Sequence, residues 1–219
     1  VNSTRILLID DHPIMRHGLA QLLGAEDGLT ICGEAGSARD GLAAADNLKP
    51  DLVIIDLTLP DKHGLELLKD LQAQHPGLLC LVLSMHDEGL YAERALRAGA
   101  RGYIMKEAAA DHLVTAVRKI LAGGLYLSET VASKMIEQLS GVRGKTGATG
   151  IENLTDRELE VLALIGEGVA TKNIADRLSI SARTVEAHRA HIKEKLDFSD
   201  GAALVKFAVQ WVAGKSNSG

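Results

Sequence analysis

Five short apolar runs alternate with stretches of helical periodicity over the first 124 residues, and this alternation restricts the fold more than any other feature of the chain. The runs are RILLI (5–9), LTICGEA (29–35), DLVII (51–55), LLCLVL (78–83) and GYIM (102–105). Between and after them, apolar residues recur at helical spacing over 13–24, 38–48, 64–74, 88–98 and 109–122. Strands that are apolar on both sides need cover on both sheet faces, and regular strand-helix alternation supplies it when the strands run parallel. The reading is an α/β doubly wound, parallel five-stranded sheet.

The economical arrangement of such units is a flavodoxin-like sandwich. At 219 residues the chain has room for a second domain with its own core. After Gly123 and Gly124 comes a helical stretch at about 128–139, then GVRGKTGATG (141–150), which has no apolar period and reads as a flexible linker. Gly144, Lys145 and Thr146 imitate the end of a phosphate-binding loop, but the first glycine of that motif would fall on Leu139 and no strand precedes it. Beyond the linker only helices are expected. Thr155 and Glu158 form a capping box at the first, and further helices follow at 171–178, 181–196 and 200–213. The partition is therefore 1–124, a linker with a helix over 125–153, and a separate all-α four-helix unit over 154–219.

Composition removes several classes of function. The longest apolar runs are strand-sized, well short of the roughly 20 residues that span a bilayer, and VNSTRILLIDDH is no secretory segment. A cytoplasmic protein without a membrane partner is expected. Cys32 and Cys80 lie in apolar strands and read as buried free thiols. With a net charge of -5, any contact with nucleic acid must come from a local surface, because phosphate neutralisation needs clustered Lys and Arg.

In a parallel sheet, function gathers at the carboxyl ends of the strands. The first strand ends in Asp10 and Asp11, the third in Asp56 and the fourth in Ser84, while the fifth runs into Lys106. Three carboxylates in one cleft repel one another, and a hard cation with oxygen ligands relieves the repulsion, so Mg²⁺ is the expected cofactor. A carboxylate beside Mg²⁺ can accept a phosphoryl group, with Lys106 neutralising its oxygens and Ser84 donating a hydrogen bond. The alternative is an aspartate-nucleophile phosphatase with a helical appendage. Such an enzyme needs a second acid two residues after its nucleophile, where this chain has Thr58.

The segments LLIDDH (7–12), IIDLTLPDKHG (54–64), LVLSMHD (81–87) and GARGYIMKE (99–107) together resemble a two-component receiver domain over residues 5 to about 124. The resemblance implies that Asp56 is the phosphoacceptor for a partner sensor histidine kinase, and that the protein is not an enzyme beyond slow self-dephosphorylation. It also implies that Asp10, Asp11, Asp56 and the backbone carbonyl of Thr58 hold Mg²⁺. Lys106 would contact the phosphoryl group, and Ser84 and Tyr103 would form a switch pair. Taken alone, an aromatic at position 103 reads as core or rim packing. Thr58 and His86 occupy positions that tune hydrolysis in receivers.

In the second unit, TKNIADRLSISARTVEAHRAHIKEKL (171–196) reads as helix-turn-helix, with Ser181 able to cap the second helix. Val185, His188, Ile192 and Leu196 share its inner side, whereas Arg183, Glu186, Ala187, Ala190 and Glu194 lie opposite. Small Ala187 and Ala190 permit close approach to a groove, Glu186 can accept from cytosine N4, and Arg183, Arg189, Lys193 and Lys195 are candidates for phosphate contacts. His188 and His191 are not taken as a metal pair. Residues 154–196 resemble the LuxR-type module of NarL/FixJ regulators. This resemblance implies binding to double-stranded DNA, with Glu186, Ala187 and Ala190 toward the bases and Thr184, Arg189 and Lys193 toward the backbone. The last helix has one apolar stripe of Leu204, Phe207, Ala208 and Trp211 and another of Val205, Val209 and Val212. The second stripe serves either a wide core face or homodimerisation on DNA. Together the two resemblances describe a phosphorylation-dependent transcriptional regulator; that the unphosphorylated receiver masks the recognition helix is a hypothesis, which the flexible linker permits.

Overall fold

A computed structural model describes residues 3–139 and 150–216, so most of the expected linker, including Gly144, Lys145 and Thr146, lies outside the described residues. The chain divides into two units, Val1–Arg143 and Gly144–Gly219.

The N-terminal unit is a five-stranded parallel sheet in the order β2-β1-β3-β4-β5. Its strands are β1 (Thr4–Ile9), β2 (Leu29–Ala35), β3 (Leu52–Ile55), β4 (Leu79–Ser84) and β5 (Gly102–Met105). The helices between and after them are α1 (Pro13–Gly24), α2 (Ala38–Leu48), α3 (Gly64–Gln74), α4 (Glu88–Arg97) and α5 (Ala109–Leu121). Alternate strand residues serve opposite faces. Ile6, Leu8, Ile54, Leu81, Leu83 and Ile104 pack with Leu19 and Leu23 of α1 and Leu113 and Val117 of α5. On the other face Ile9 meets α2 so closely that a Cβ on Gly41 would lie 2.5 Å from its side chain. The chain order reverses at β1, and the carboxyl ends of β1 and β3 sit side by side there.

The outer edge of β5 is covered. Tyr126 pairs with Gly102, its carbonyl accepts from the Tyr103 N–H at 3.0 Å, and its own N–H donates to the Arg101 carbonyl at 2.9 Å. From there the chain enters α6 (Glu129–Leu139), where the Ser128 N–H donates to a Glu88 carboxylate oxygen at the start of α4. The cysteines are both free, but only Cys80 is buried. Cys32 is half-buried, because β2 is an edge strand with incomplete cover.

The C-terminal unit consists of α7 (Asp156–Gly166), α8 (Thr171–Arg177), α9 (Ala182–Lys195) and α10 (Gly201–Ser216). The capping box forms at the start of α7, with Thr155 and Glu158 each binding the other's backbone N–H. Leu159, Leu162, Ile174, Val185, Ile192, Leu204 and Ala208 make the core. Close packing of α7 against α10 requires Gly166, where a Cβ would come within 2.5 Å of the Ala208 carbonyl oxygen. No helix among the described residues is long and apolar enough to cross a membrane.

Candidate functional site

The acidic cleft assembles where β1, β3, β4 and β5 end. Asp10 and Asp56 are both buried, and the Lys106 ammonium lies 2.7 Å from an oxygen of each. The second oxygen of Asp56 accepts from the Thr58 N–H at 3.2 Å. Asp10, Asp11, Asp56 and His12 each bring a ligand atom within 4.8 Å of the others. One ammonium cannot neutralise three carboxylates, and these oxygen donors fit a hard divalent cation. His12 was not among the expected site residues. Its N–H donates to Asp10 and its ring contacts Asp11 at 2.6 Å, so it orients both acids.

Electrostatics follow from burial. Loss of solvent drives the Asp56 carboxyl up to about 6, with Lys106 opposing the rise and Asp10 adding to it. Burial works against the charge on Lys106, but the Asp56 and Asp10 carboxylates outweigh it and hold the ammonium above its ordinary range. Close packing behind the acceptor depends on Gly64, the first residue of α3. A Cβ there would fall 2.1 Å from the Asp56 carbonyl oxygen, so no larger residue fits without displacing β3.

Ser84 and Tyr103 hydrogen-bond through their side chains, and both also bind the backbone of His86. The Ser84 hydroxyl accepts from the His86 N–H at 3.2 Å, and the buried Tyr103 hydroxyl donates to the His86 carbonyl at 2.8 Å. Burial raises the phenol's pKa strongly, so it remains a neutral donor. The His86 ring meets the Thr58 hydroxyl at 3.0 Å and packs against Tyr91 with centroids 5.0 Å apart. His86 therefore joins both switch candidates to the loop carrying Asp56. Two residues later Glu88 holds Ser128, and Tyr126 returns to Tyr103. The contacts close a ring from the cleft to the start of α6.

In the C-terminal unit, Ser181 caps α9 by accepting from the Thr184 N–H at 3.0 Å, and its hydroxyl also bonds that of Thr184. Val185 and Ile192 are buried and His188 is half-buried, which leaves Arg183, Glu186, Ala187 and Ala190 exposed, with Arg189 and Lys193 half-buried beside them. One sequence expectation changes, and one left open divides between its alternatives. Lys195 places its ammonium 2.6 Å from the buried Glu158, so it braces α9 against α7 rather than reaching for phosphate. Of the valine stripe, Val205 and Val209 are exposed, but Val212 crowds Gly166 and belongs to the α7-α10 contact. The structure also brings Thr171 of α8 to Glu186, with its hydroxyl donating to the carboxylate at 3.0 Å. No spacing rule would have connected residues 15 apart on different helices.

Residues 6–118 match the family model described as response regulator receiver domain, and residues 152–208 match bacterial regulatory proteins, luxR family. The chain is 39% identical over 202 residues to the transcriptional regulatory protein UhpA of Escherichia coli (strain K12), covering 92% of this chain and 95% of that one. It is 34% identical over 206 residues to the DNA-binding transcriptional activator DevR/DosR of Mycobacterium tuberculosis, covering 94% of each. Among solved structures it is similar to RcsB from Salmonella enterica serovar Typhimurium bound to promoter rprA in the presence of a phosphomimetic. That likeness has a TM-score of 0.62 at 26% identity and covers 95% of this chain and 99% of that chain.

Proposed function

The chain belongs to the bacterial response regulators that join a receiver domain to a LuxR-type DNA-binding domain, and from that premise we propose how its own residues perform the switch. The protein is a phosphorylation-dependent, DNA-binding transcriptional regulator. Asp56 accepts a phosphoryl group from a sensor histidine kinase: a carboxylate oxygen forms the new P–O bond as the P–N bond of the donor phosphohistidine breaks and its electron pair returns to the imidazole. Asp10, Asp11, Asp56 and the Thr58 carbonyl would hold Mg²⁺, which supplies charge neutralisation to the transferring group. Lys106 moves from bridging two carboxylates to neutralising a phosphoryl oxygen, and Ser84 donates its hydroxyl proton to another. As Ser84 turns, its grip on the His86 N–H is released, and the Tyr103 hydroxyl follows the His86 carbonyl.

The observation that carries this reading is the Lys106 ammonium, 2.7 Å from both Asp10 and Asp56 in a buried cleft. The position two residues after Asp56 holds a hydroxyl engaged by His86 rather than an acid. With no carboxyl there to activate water, the acyl phosphate persists, with at most slow self-dephosphorylation, and this speaks against the phosphatase alternative.

The output is read by α9. Glu186, Ala187 and Ala190 face base edges, while Arg183, Thr184, Arg189 and Lys193 contact the backbone of double-stranded DNA. Exposed Val205 and Val209 form the seam of a homodimer on paired half-sites. The functional partition is a receiver over 1–124, a linker over 125–153 and the DNA reader over 154–219, in a protein acting in the cytoplasm.

The test is incubation with Mg²⁺ and acetyl phosphate, location of the modified residue by mass spectrometry, and selection of bound DNA from a random pool. One phosphate, lost in Asp56→Ala, with tighter DNA binding by the phosphorylated protein, is expected. Labelling that survives Asp56→Ala would place the acceptor elsewhere.

A further inference from the structure

Ala187 and Ala190 leave the middle of the α9 outer face without hydrogen-bonding groups, so base discrimination there depends on Glu186 and its neighbours. Glu186 does not stand alone. One carboxylate oxygen accepts from the Thr171 hydroxyl at 3.0 Å, and the other lies 3.7 Å from Nε of Arg189. Arg189 Nη1 in turn approaches the Thr171 oxygen at 3.5 Å. A threonine hydroxyl has one proton and accepts through its oxygen. Here the proton goes to Glu186 and the oxygen faces Arg189, so Thr171 stands between an anion and a cation that would otherwise pair more closely along one helix.

Each carboxylate oxygen keeps lone pairs after these contacts, and more than half of the Glu186 side chain is exposed. A carboxylate held this way can accept only, and the major groove offers amino donors at cytosine N4 and adenine N6. Against thymine O4 or guanine O6 it meets another acceptor. Discrimination of this kind requires the carboxylate to stay in place. An unrestrained glutamate can swing away from a wrong base at little cost.

We propose that Thr171, which lies outside the recognition helix, is a specificity-determining residue whose hydroxyl holds the Glu186 carboxylate in position to read an exocyclic amino group. The proposal rests on α9 being the DNA reader. Thr171 acts through Glu186 and is a positioning residue; on loss of its hydroxyl, Arg189 closes on Glu186 and the base beneath becomes indifferent.

The test uses the full-length protein phosphorylated with acetyl phosphate. A bound sequence is selected from random duplexes, and binding to that sequence and its single-base changes is then compared for the native protein, Glu186→Ala, Thr171→Val and Thr171→Ser. Glu186→Ala identifies the base pair at which about tenfold preference for cytosine or adenine is lost. At that pair Thr171→Val is expected to reduce the preference to below about twofold, with the slope of affinity against salt unchanged, while Thr171→Ser retains it. Native preference in Thr171→Val overturns the proposal. So does uniform weakening on all sequences, which would make Thr171 a contact to the DNA backbone rather than a positioning residue. If Glu186→Ala leaves every base preference intact, the assignment of Glu186 as a reader fails, and the role of Thr171 fails with it.

Discussion

Asp56 and Glu158 are both about 3% exposed and both lie within 2.7 Å of a lysine ammonium, yet their acidities move in opposite directions. Burial raises Asp56 to about 6 against the opposing Lys106, which is shared with Asp10, and the Asp10 charge adds to the rise. Burial pushes Glu158 upward as well, but the hydrogen bonds from Lys195 and Thr155 outweigh it and hold the carboxyl below its usual range. The difference lies in how deep each anion sits within the protein and how completely it is compensated. Glu158 is satisfied within the fold and serves stability, whereas Asp56 is left short of positive charge and can be satisfied by a metal or a reaction.

The strongest attempt to break this contrast is Lys106→Met. Removing the ammonium that prepares the cleft should slow labelling by acetyl phosphate by at least about 100-fold. A rate within a few-fold of native would show that the lysine neutralises the resting acids only.

Asp56→Asn sharpens the comparison in the other direction. Because the folded carboxyl binds its proton more tightly than the unfolded one, ionised Asp56 opposes folding. Its stability contribution is fully present below about pH 4 and is lost as pH rises through about 6. With chelator present, the variant should be more stable than native at pH 7 by up to about 3 kcal/mol, and the advantage should vanish near pH 4. Urea midpoints followed by amide exchange in β3 would show it, and a destabilised variant at pH 7 would contradict the account.

Glu158→Ala should do the opposite in the C-terminal unit, with a loss of about 2 kcal/mol from the broken capping box and the stranded lysine. Since the folded pKa is lowered, native Glu158 stabilises above its unfolded pKa, and that benefit disappears as pH falls through the folded one. Trp211 is the sole tryptophan of the chain and reports unfolding of this unit. Glu88→Gln is the mildest change. It weakens one charge-assisted bond to Ser128, so exchange of that N–H should quicken by a few-fold, about 1 kcal/mol or less, while phosphoryl acceptance at Asp56 stays native.

The strand and helix pattern was legible to within a residue or two at most boundaries, because apolar continuity and helical spacing are local signals. The gathering of Asp10, Asp11, Asp56, Ser84 and Lys106 was legible for a related reason: a parallel sheet brings all its strand carboxyl ends to one edge. The roles of single side chains at element surfaces were less accessible. Lys195 read as a candidate phosphate contact and proved to brace Glu158; the valine stripe read as either core or dimer seam, and Val212 packs on Gly166 while Val205 and Val209 are exposed; Cys32 read as buried and lies half-buried on an edge strand. In each case the residue type was compatible with both environments, and only the neighbouring element chose between them.

The sequence by itself determined two units, their secondary structure and the set of acids, hydroxyl and amine that meet at the sheet edge, since these depend on periodicity and on residues placed next to strand ends. Tertiary structure alone decided that Lys106 bridges Asp10 and Asp56, that His86 gathers Ser84, Tyr103 and Thr58, and that Thr171 holds Glu186. Hydrogen bonds and ion contacts act over about 3 Å, while the residues that make them are separated by up to 96 positions in the chain. No pattern along the sequence carries that distance until the chain is folded.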